Sequence, residues 1–417
     1  MAFLNDEFQK LRTSTLAHNA GWMLLGQGTN LLLQAAYFIL LARLLGVQQY
    51  GIFAGAFAFV SIASPYCALG SGLVFMRYVS AEPTNFAAYW GNILMATIGA
   101  GSVMTAILYL IAPHLLDPAS ASVTLLVALG ECVCRQLVIC IGHLFQAFEK
   151  LQMTAAMNLL TSFLRLAAVL ALSAIVQHGT AFEWALASLF VSALAAVIGS
   201  ALVIARFGAP TFSLRLLGSR LGEGLNFSVA ASTQSVYNDI DKTMLSHYGM
   251  NIANGIYTLA YRIVDVSTIP ITALDAAALP RYMRQSTQGA PTVRNLSVRL
   301  AGRAALIGLL MTVCLFLTAP LIPHVIGSGF NESVMALRWL CLIPVFRGIH
   351  QLTGGALTGL GFQRYRTWAQ IAAAALNLGL NFWLIPSHGW LGAAWASLAT
   401  DGTLAAVNWL LLQSLRA

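Results

Sequence analysis

The sequence predicts an all-α polytopic membrane protein: twelve transmembrane helices in two six-helix bundles related by a pseudo-two-fold axis along the membrane normal. Three observations carry that prediction. The 417 residues are 58% hydrophobic and only 9% charged, far more apolar side chain than a soluble domain can bury. Twelve windows of about 20 apolar residues, the length that crosses a hydrocarbon core as a helix, follow one another along the chain. The last six windows repeat features of the first six. Soluble chains carry roughly 25% charge, so a water-soluble enzyme is excluded, as are disordered and disulfide-rich secreted classes.

The windows are 20–41, 51–72, 90–112, 122–146, 152–176 and 182–205, then 225–246, 253–278, 302–322, 333–360, 366–385 and 391–413. They define an N-terminal bundle over 1–206, a cytoplasmic linker over 207–222 and a C-terminal bundle over 223–417. Before the first span, Asp6, Glu7, Lys10 and Arg12 are scattered through Phe3, Leu4, Phe8 and Leu11 without a small-residue cleavage site, an amphipathic lead-in rather than a signal peptide. The repeat sets Tyr50-Gly51-Ile52-Phe53, closed by Pro65, beside Asn254-Gly255-Ile256-Tyr257, closed by Pro270. Gln177-His178-Gly179 before Trp184 likewise matches Ser387-His388-Gly389 before Trp395. Six spans is an even number, so both halves enter the membrane in the same direction, with a cavity expected between them. Proline removes a backbone hydrogen bond and clashes with the preceding turn, which makes Pro65 and Pro270 candidate hinges.

Orientation follows from the basic residues, because short loops rich in Lys and Arg stay in the cytoplasm. With the N-terminus inside, fifteen of the 22 basic residues fall on the cytoplasmic side, including Lys150, Arg206, Arg281, Arg284 and Arg364, and only Arg43 falls outside. Both termini are therefore expected in the cytoplasm. The net charge of +8 suits an anionic inner leaflet, and no nucleic-acid partner is implied.

The other six basic residues, Arg135, Arg165, Lys242, Arg262, Arg338 and Arg347, lie within spans, as do Glu131, Asp239, Asp241, Asp265, Asp275 and Asp401. Ionisable groups at membrane depth cost a few kcal/mol each, so they face a bundle interior or a watery cavity. Glu131 and Arg135 are four apart, and Asp239 and Lys242 three apart, so each pair shares a helical face and can neutralise itself. Arg165 ends a stripe of Asn158, Thr161 and Ser162 and has no acid on its own helix. Arg347 lies mid-span with His350 and Gln351 one turn on, while Arg338, nearer the outer end, reads as a snorkelling side chain. Further amide stripes, Gln27-Asn30-Gln34 and Gln370-Asn377-Asn381, either line a path or pack helices together. The six cysteines all lie in apolar segments, and no metal site is expected from them. Walker, zinc-protease, nucleophile-elbow and dinucleotide motifs are absent, so no enzymatic activity is expected, and no cofactor beyond coupling to protons or sodium.

The turn from Leu44-Leu45-Gly46 to Tyr50-Gly51, the Asp241-Lys242 pair and the run Gly255-x-Tyr257-x-x-Ala260-x-Arg262, set in a six-plus-six repeat, resemble the polysaccharide exporters. These are the Wzx-type flippase branch of the MATE-like multidrug/oligosaccharidyl-lipid/polysaccharide superfamily. The resemblance implies a bacterial inner-membrane protein that turns an undecaprenyl-pyrophosphate-linked oligosaccharide from the cytoplasmic to the periplasmic leaflet, for O-antigen or exopolysaccharide assembly by alternating access. It implies a cationic cavity, and as partners the bilayer, a polysaccharide polymerase and chain-length machinery. Peptidoglycan-precursor flippases of the superfamily carry two further spans, which disfavours that substrate. A pyrophosphate headgroup needs fixed positive charge, and sugars need amides. Arg165 and Arg347 are the candidate anion ligands, with Arg262, Arg135, His350, Gln351, Asn158 and Asn377 as further substrate-binding candidates. Asp239, Asp241 and Asp401 are candidate ion carriers. A proton- or sodium-coupled multidrug exporter is the alternative. A polymerase or ligase is disfavoured, since such enzymes carry a sizeable external loop and this chain has none.

Overall fold

A computed structural model describes residues 15–414, and every regular element among them is a helix. Residues 1–14 of the lead-in lie outside the described residues, as do the side chains of 15–27, 230, 233 and 234, and with them the polar positions Gln27 and Gln234.

Helix α1 (Thr15–Ala63) is broken at Gly46, with φ 66° and ψ 174°, a conformation open to glycine and costly for other residues. Its 49 residues would span about 74 Å if straight, more than twice the roughly 30 Å of a hydrocarbon core. The break at the predicted turn divides it into two traverses. The second is interrupted again where Pro65 sits in a single 3₁₀ turn, Ser64–Tyr66, and Gly70 (φ 62°) opens α2 (Ser71–Val79). There follow α3 (Phe86–Leu115) and α4 (Pro118–Ala128), the latter capped by the Asp117 carboxylate on the Ala119 and Ser120 amides. A π-helical turn, Leu129–Arg135, leads into α5 (Gln136–Ala147). α6 (Leu151–Ile175) and α7 (Ala181–Phe207) come next, and Thr180 and Glu183 form a capping box on α7.

The second half begins with α8 (Leu214–His247), which takes in residues 214–222 of the expected linker. α9 (Asn251–Ser267) and α10 (Ile269–Gln285) are bent by 44° where Pro270 enters. α11 (Ala290–Thr318), α12 (Glu332–Leu340), α13 (Ile343–Gly359), α14 (Gln363–His388) and α15 (Trp390–Ser414) complete the chain. By length and composition eight helical segments can cross a membrane, or nine with the bent pair counted as one span. The first of them, Gly28–Val79, contains two traverses. α8 and α15 fall short because Asp239, Asp241, Lys242 and Asp401 interrupt their apolar runs, and adding them accounts for all twelve predicted traverses.

The chain forms two compact units. One comprises the described residues up to Leu45 with Phe59–Ser232, the other Gly46–Ala58 with Thr233–Ala417. They are not simple halves, and we keep 1–206 and 223–417 as the proposed limits of the repeat. The first unit closes over Phe75, Trp90, Ile93, Ile141, Leu144 and Phe145. In the second, Ile271, Tyr282, Val293, Ala304, Leu352 and Leu357 pack between α10, α11 and α13.

The 46–58 segment joins the second unit because it carries a glycine every fourth residue, Gly51 and Gly55, which lets backbones approach closely. A β-carbon on Gly51 would fall 1.8 Å from the Asn251 carbonyl oxygen, and one on Gly55 would fall 2.5 Å from Ser246 Cβ. Gly255 is as tight, 2.0 Å from the Val47 oxygen. The two glycines that mark the repeat thus meet each other, and the Asn254 amide ties the crossing by donating to the Gly51 and Lys242 carbonyls, both at 3.1 Å. Gly51→Val is expected to force α1 and α9 apart at a cost of about 1–3 kcal/mol, lowering the melting temperature in detergent by several degrees. Gly302→Ala, whose β-carbon would enter open space, should leave it unchanged or slightly raised.

Candidate functional site

The second unit holds a layer of buried charge built by helical spacing. On α8, one turn presents Asp239, Asp241 and Lys242. On α9, Tyr257, Tyr261 and Asp265 recur every four residues and so share a face. On α13, Arg347, His350 and Gln351 do the same, and on α15 Ser397 and Asp401. Lys242 Nζ lies 2.9 Å from Asp239 Oδ1 and 3.9 Å from Asp241 Oδ1. It also donates to the Asn238 carbonyl and sits 4.5 Å from the Tyr261 ring centre. Asp241, only 1% exposed, accepts from the Tyr257 hydroxyl, from Ser397 at 3.3 Å and from the Lys242 amide at 2.7 Å. Arg347 donates to Asp265 and to the Tyr261 hydroxyl, each at 2.7 Å, so Tyr261 links the two cations.

One turn along α15, Asp401 is fully buried. Its Oδ1 accepts from Tyr237, and His350 Nε2 lies 3.4 Å away. Beside it Asn377 donates to Thr400 at 3.2 Å and accepts from Asn381 at 2.8 Å. Arg262 faces the Phe57 ring at 6.0 Å. Buried charges are tolerated when paired and hydrogen-bonded. The layer does this with three carboxylates, Asp239, Asp241 and Asp265, around Lys242 and Arg347, while Asp401 is bonded to the Tyr237 hydroxyl.

The first unit has the opposite balance. The π-helical turn carries Glu131 and Arg135, whose Nε is 3.1 Å from Glu131 Oε2. Arg165 Nη2, from α6, approaches the other carboxylate oxygen at 3.4 Å. Two guanidinium groups on one carboxylate leave an excess positive charge. Single-turn π segments are frequent at functional sites. Asn158 is exposed on the same helix as Arg165, while Ser162 bonds to Asn30.

Sequence periodicity gave Arg165 and Arg347 no acid, since it sees only partners on the same helix. The fold supplies Glu131 to the first and Asp265 to the second. Of the candidate residues, Arg135, Arg165 and Asn158 lie in the first unit. Arg262, Arg347, His350, Gln351, Asn377, Asp239, Asp241 and Asp401 lie in the second. Pro65 and Pro270 stand at the two helix breaks described above. Tyr237, Tyr257, Tyr261, Ser397 and Thr400 were missed by sequence reasoning. The four-residue recurrence Tyr257-Tyr261-Asp265 and Ser397-Asp401 was the signal that could have found most of them.

Removing one partner of a buried pair costs about 3–5 kcal/mol. Lys242→Met, leaving Asp239 and Asp241 without their shared cation, is therefore expected to lower the melting temperature of the purified protein steeply. Asp241→Asn on that background should recover part of the loss. Additive losses in the double variant would show that these groups do not interact.

The chain resembles solved transporters over nearly its whole length. It matches an inward-facing multidrug resistance MATE family transporter of the MOP superfamily with a TM-score of 0.78 at 14% identity, covering 92% of this chain and 93% of that one. An outward-facing MATE transporter gives 0.65 at 15% identity, covering 97% and 96%. A MOP superfamily transporter from Pyrococcus furiosus, described as having a binding pocket of reverse polarity that suggests a different function, gives 0.64 at 15%, covering 94% and 93%. At such identities the likeness shows the fold, an all-α transporter fold. No curated protein sequence matches the chain. The profile described as polysaccharide biosynthesis protein matches residues 16–285, more than half of the sequence, and the chain belongs to that family.

Proposed function

We propose that this membrane transporter is an alternating-access flippase. It moves an undecaprenyl-pyrophosphate-linked oligosaccharide from the cytoplasmic to the periplasmic leaflet of a bacterial inner membrane, for O-antigen or exopolysaccharide assembly. Both termini are cytoplasmic, and a polymerase with its chain-length machinery consumes the product. The single observation that most supports this is the pair of arginines sharing one carboxylate at membrane depth in the first unit. An acid that holds two guanidinium groups keeps them from repelling each other while leaving net positive charge for a pyrophosphate, whose oxygens suit the planar fork of arginine. Arg165 and Arg347 are the proposed headgroup ligands, with Arg135 and Arg262 adding charge. Asn158, Asn377, His350 and Gln351 offer hydrogen bonds to sugar hydroxyls. Asp239, Asp241 and Asp401 are proposed to couple the cycle to a proton or sodium gradient, while Pro65 and Pro270 are its proposed hinges. The four carboxylates of the second unit favour a second function, a cation-coupled multidrug exporter, because organic cations want an acidic site.

Complementation of a flippase-deficient strain, with the protein quantified in isolated inner membranes, separates the two. Arg165→Ala and Arg347→Ala should each reduce surface polysaccharide at least tenfold at normal protein abundance. The lysine variants should retain partial activity, keeping charge and losing the fork. Full polysaccharide assembly by both alanine variants, or extrusion of a cationic dye that they leave intact, would favour the exporter.

A further inference from the structure

We propose that a hydrated polar seam within the second unit, running along α13 and α15 past Asn408 to Asp275 and Arg366, gives the buried Asp401 carboxylate proton access from the cytoplasmic side. This rests on the coupling role of Asp401 proposed above and adds a route and a side to it.

The observation is an asymmetry in hydrogen bonding on either side of Asp401. One turn outward on α15, Ser397 bonds to both Tyr257 and Asp241, and one turn outward on α13, Arg347 is held by Asp265 and Tyr261. Those polar groups satisfy each other. In the other direction they do not. Asp401 Oδ2, Gln351 Oε1, Asn408 Oδ1 and Asp275 Oδ1 are each buried without a protein partner among the described residues. The His350 nitrogen nearest Asp401 is poorly aligned for a bond to it. The Asn408 amide reaches back to the His350 carbonyl at 3.1 Å, so these acceptors follow one another along the same pair of helices. Leaving a polar atom unsatisfied is costly, and buried polar groups of this kind are ordinarily satisfied by ordered water.

Two adjacent glycines let these polar side chains lie directly against the α13 backbone. A β-carbon on Gly354 would fall 3.0 Å from Arg366 Nε and 3.3 Å from the Asn408 amide nitrogen. One on Gly355 would fall 2.6 Å from Asp275 Oδ1. Any larger residue at either place would displace Asn408, Asp275 or Arg366 and break the seam. Asp275 and Arg366 are only partly buried, and Arg366 is tethered to the Thr358 hydroxyl at 2.9 Å. They lie where the chain gathers Arg281, Arg284 and Arg364, the side assigned to the cytoplasm by its basic charge. From Asp401 to Asn408 is about 10 Å of helix rise, a third of the hydrocarbon core.

The titratable groups that face Asp401 are Tyr237 from α8 and His350 from α13; beside it Thr400 bonds to Asn377 of α14, and one turn away Ser397 bonds to Asp241. Only the proton moves: the Asp401 carboxylate gains an O–H bond or gives it up, and the proton is exchanged with cytoplasmic water through the seam. In a flippase that exports an anionic headgroup, a proton entering from outside and leaving by this route would drive the cycle.

The test uses inner-membrane vesicles of both orientations and dicyclohexylcarbodiimide, a membrane-permeant reagent that modifies protonated carboxyl groups, with the Asp401 peptide followed by mass spectrometry. Modification should rise several-fold when the cytoplasmic face is brought from pH 8 to pH 6, and should ignore the pH of the other face. Asn408→Leu should abolish that response. Asn408→Ser, which keeps a relay group in a smaller side chain, should preserve it, and membrane abundance of each variant shows that it has folded. Modification that follows the outer pH, or that responds equally in Asn408→Leu, would overturn the seam. Surface-polysaccharide complementation by the unmodified chain is scored separately. If it fails while the cytoplasmic pH response holds, the flippase function falls and the seam stands.

Discussion

A charge carried to membrane depth is stabilised by a counter-charge or a hydrogen bond from the protein itself, because hydrocarbon supplies neither. That constraint orders the rest of the structure. In the second unit it draws α8, α9, α13 and α15 together around Asp241, Asp265 and Asp401, with two tyrosines of α9 as connectors. In the first unit it draws α6 onto the π-helical turn, where Glu131 meets both Arg135 and Arg165. Salt bridges of this kind are weak arguments for stability, since desolvation offsets most of the Coulomb attraction. What they do is hold a cationic group in the first unit and an acidic group in the second.

Small residues supply the second constraint. Helices in lipid have little hydrophobic reason to associate, so close backbone approach has to be built in. Gly51 and Gly55 bring the start of the second traverse onto α8 and α9, while Gly354 and Gly355 admit the polar side chains of Arg366, Asn408 and Asp275 against α13. The same residue type therefore admits backbone at one crossing and polar side chains at another.

Much of this was legible in the sequence. The apolar windows located the traverses because length and hydropathy are set by the bilayer, and the break at Gly46 lies in the turn expected after the first span. Same-helix pairs were legible too: Glu131 with Arg135 and Asp239 with Lys242 form as their spacing predicts. What was not legible was everything that depends on which helices meet. Arg165 had no visible acid until the fold delivered Glu131, and Asp265 pairs with Arg347 from another helix. The π-helical turn leaves no periodic signature in an apolar run. The grouping of 46–58 with the second unit hid in a short glycine pattern that reads as ordinary helix.

Transport of a lipid-linked oligosaccharide remains the central claim, and it can be measured directly. The purified protein is reconstituted into liposomes holding an undecaprenyl-pyrophosphate-linked oligosaccharide in both leaflets, and periodate, which does not cross the bilayer, is added outside. In bare liposomes sugar oxidation stops at the outer-leaflet half, and a flippase carries it to completion within minutes by bringing the inner-leaflet half out. Oxidation that stops at the outer-leaflet half, as in protein-free liposomes, would contradict the account.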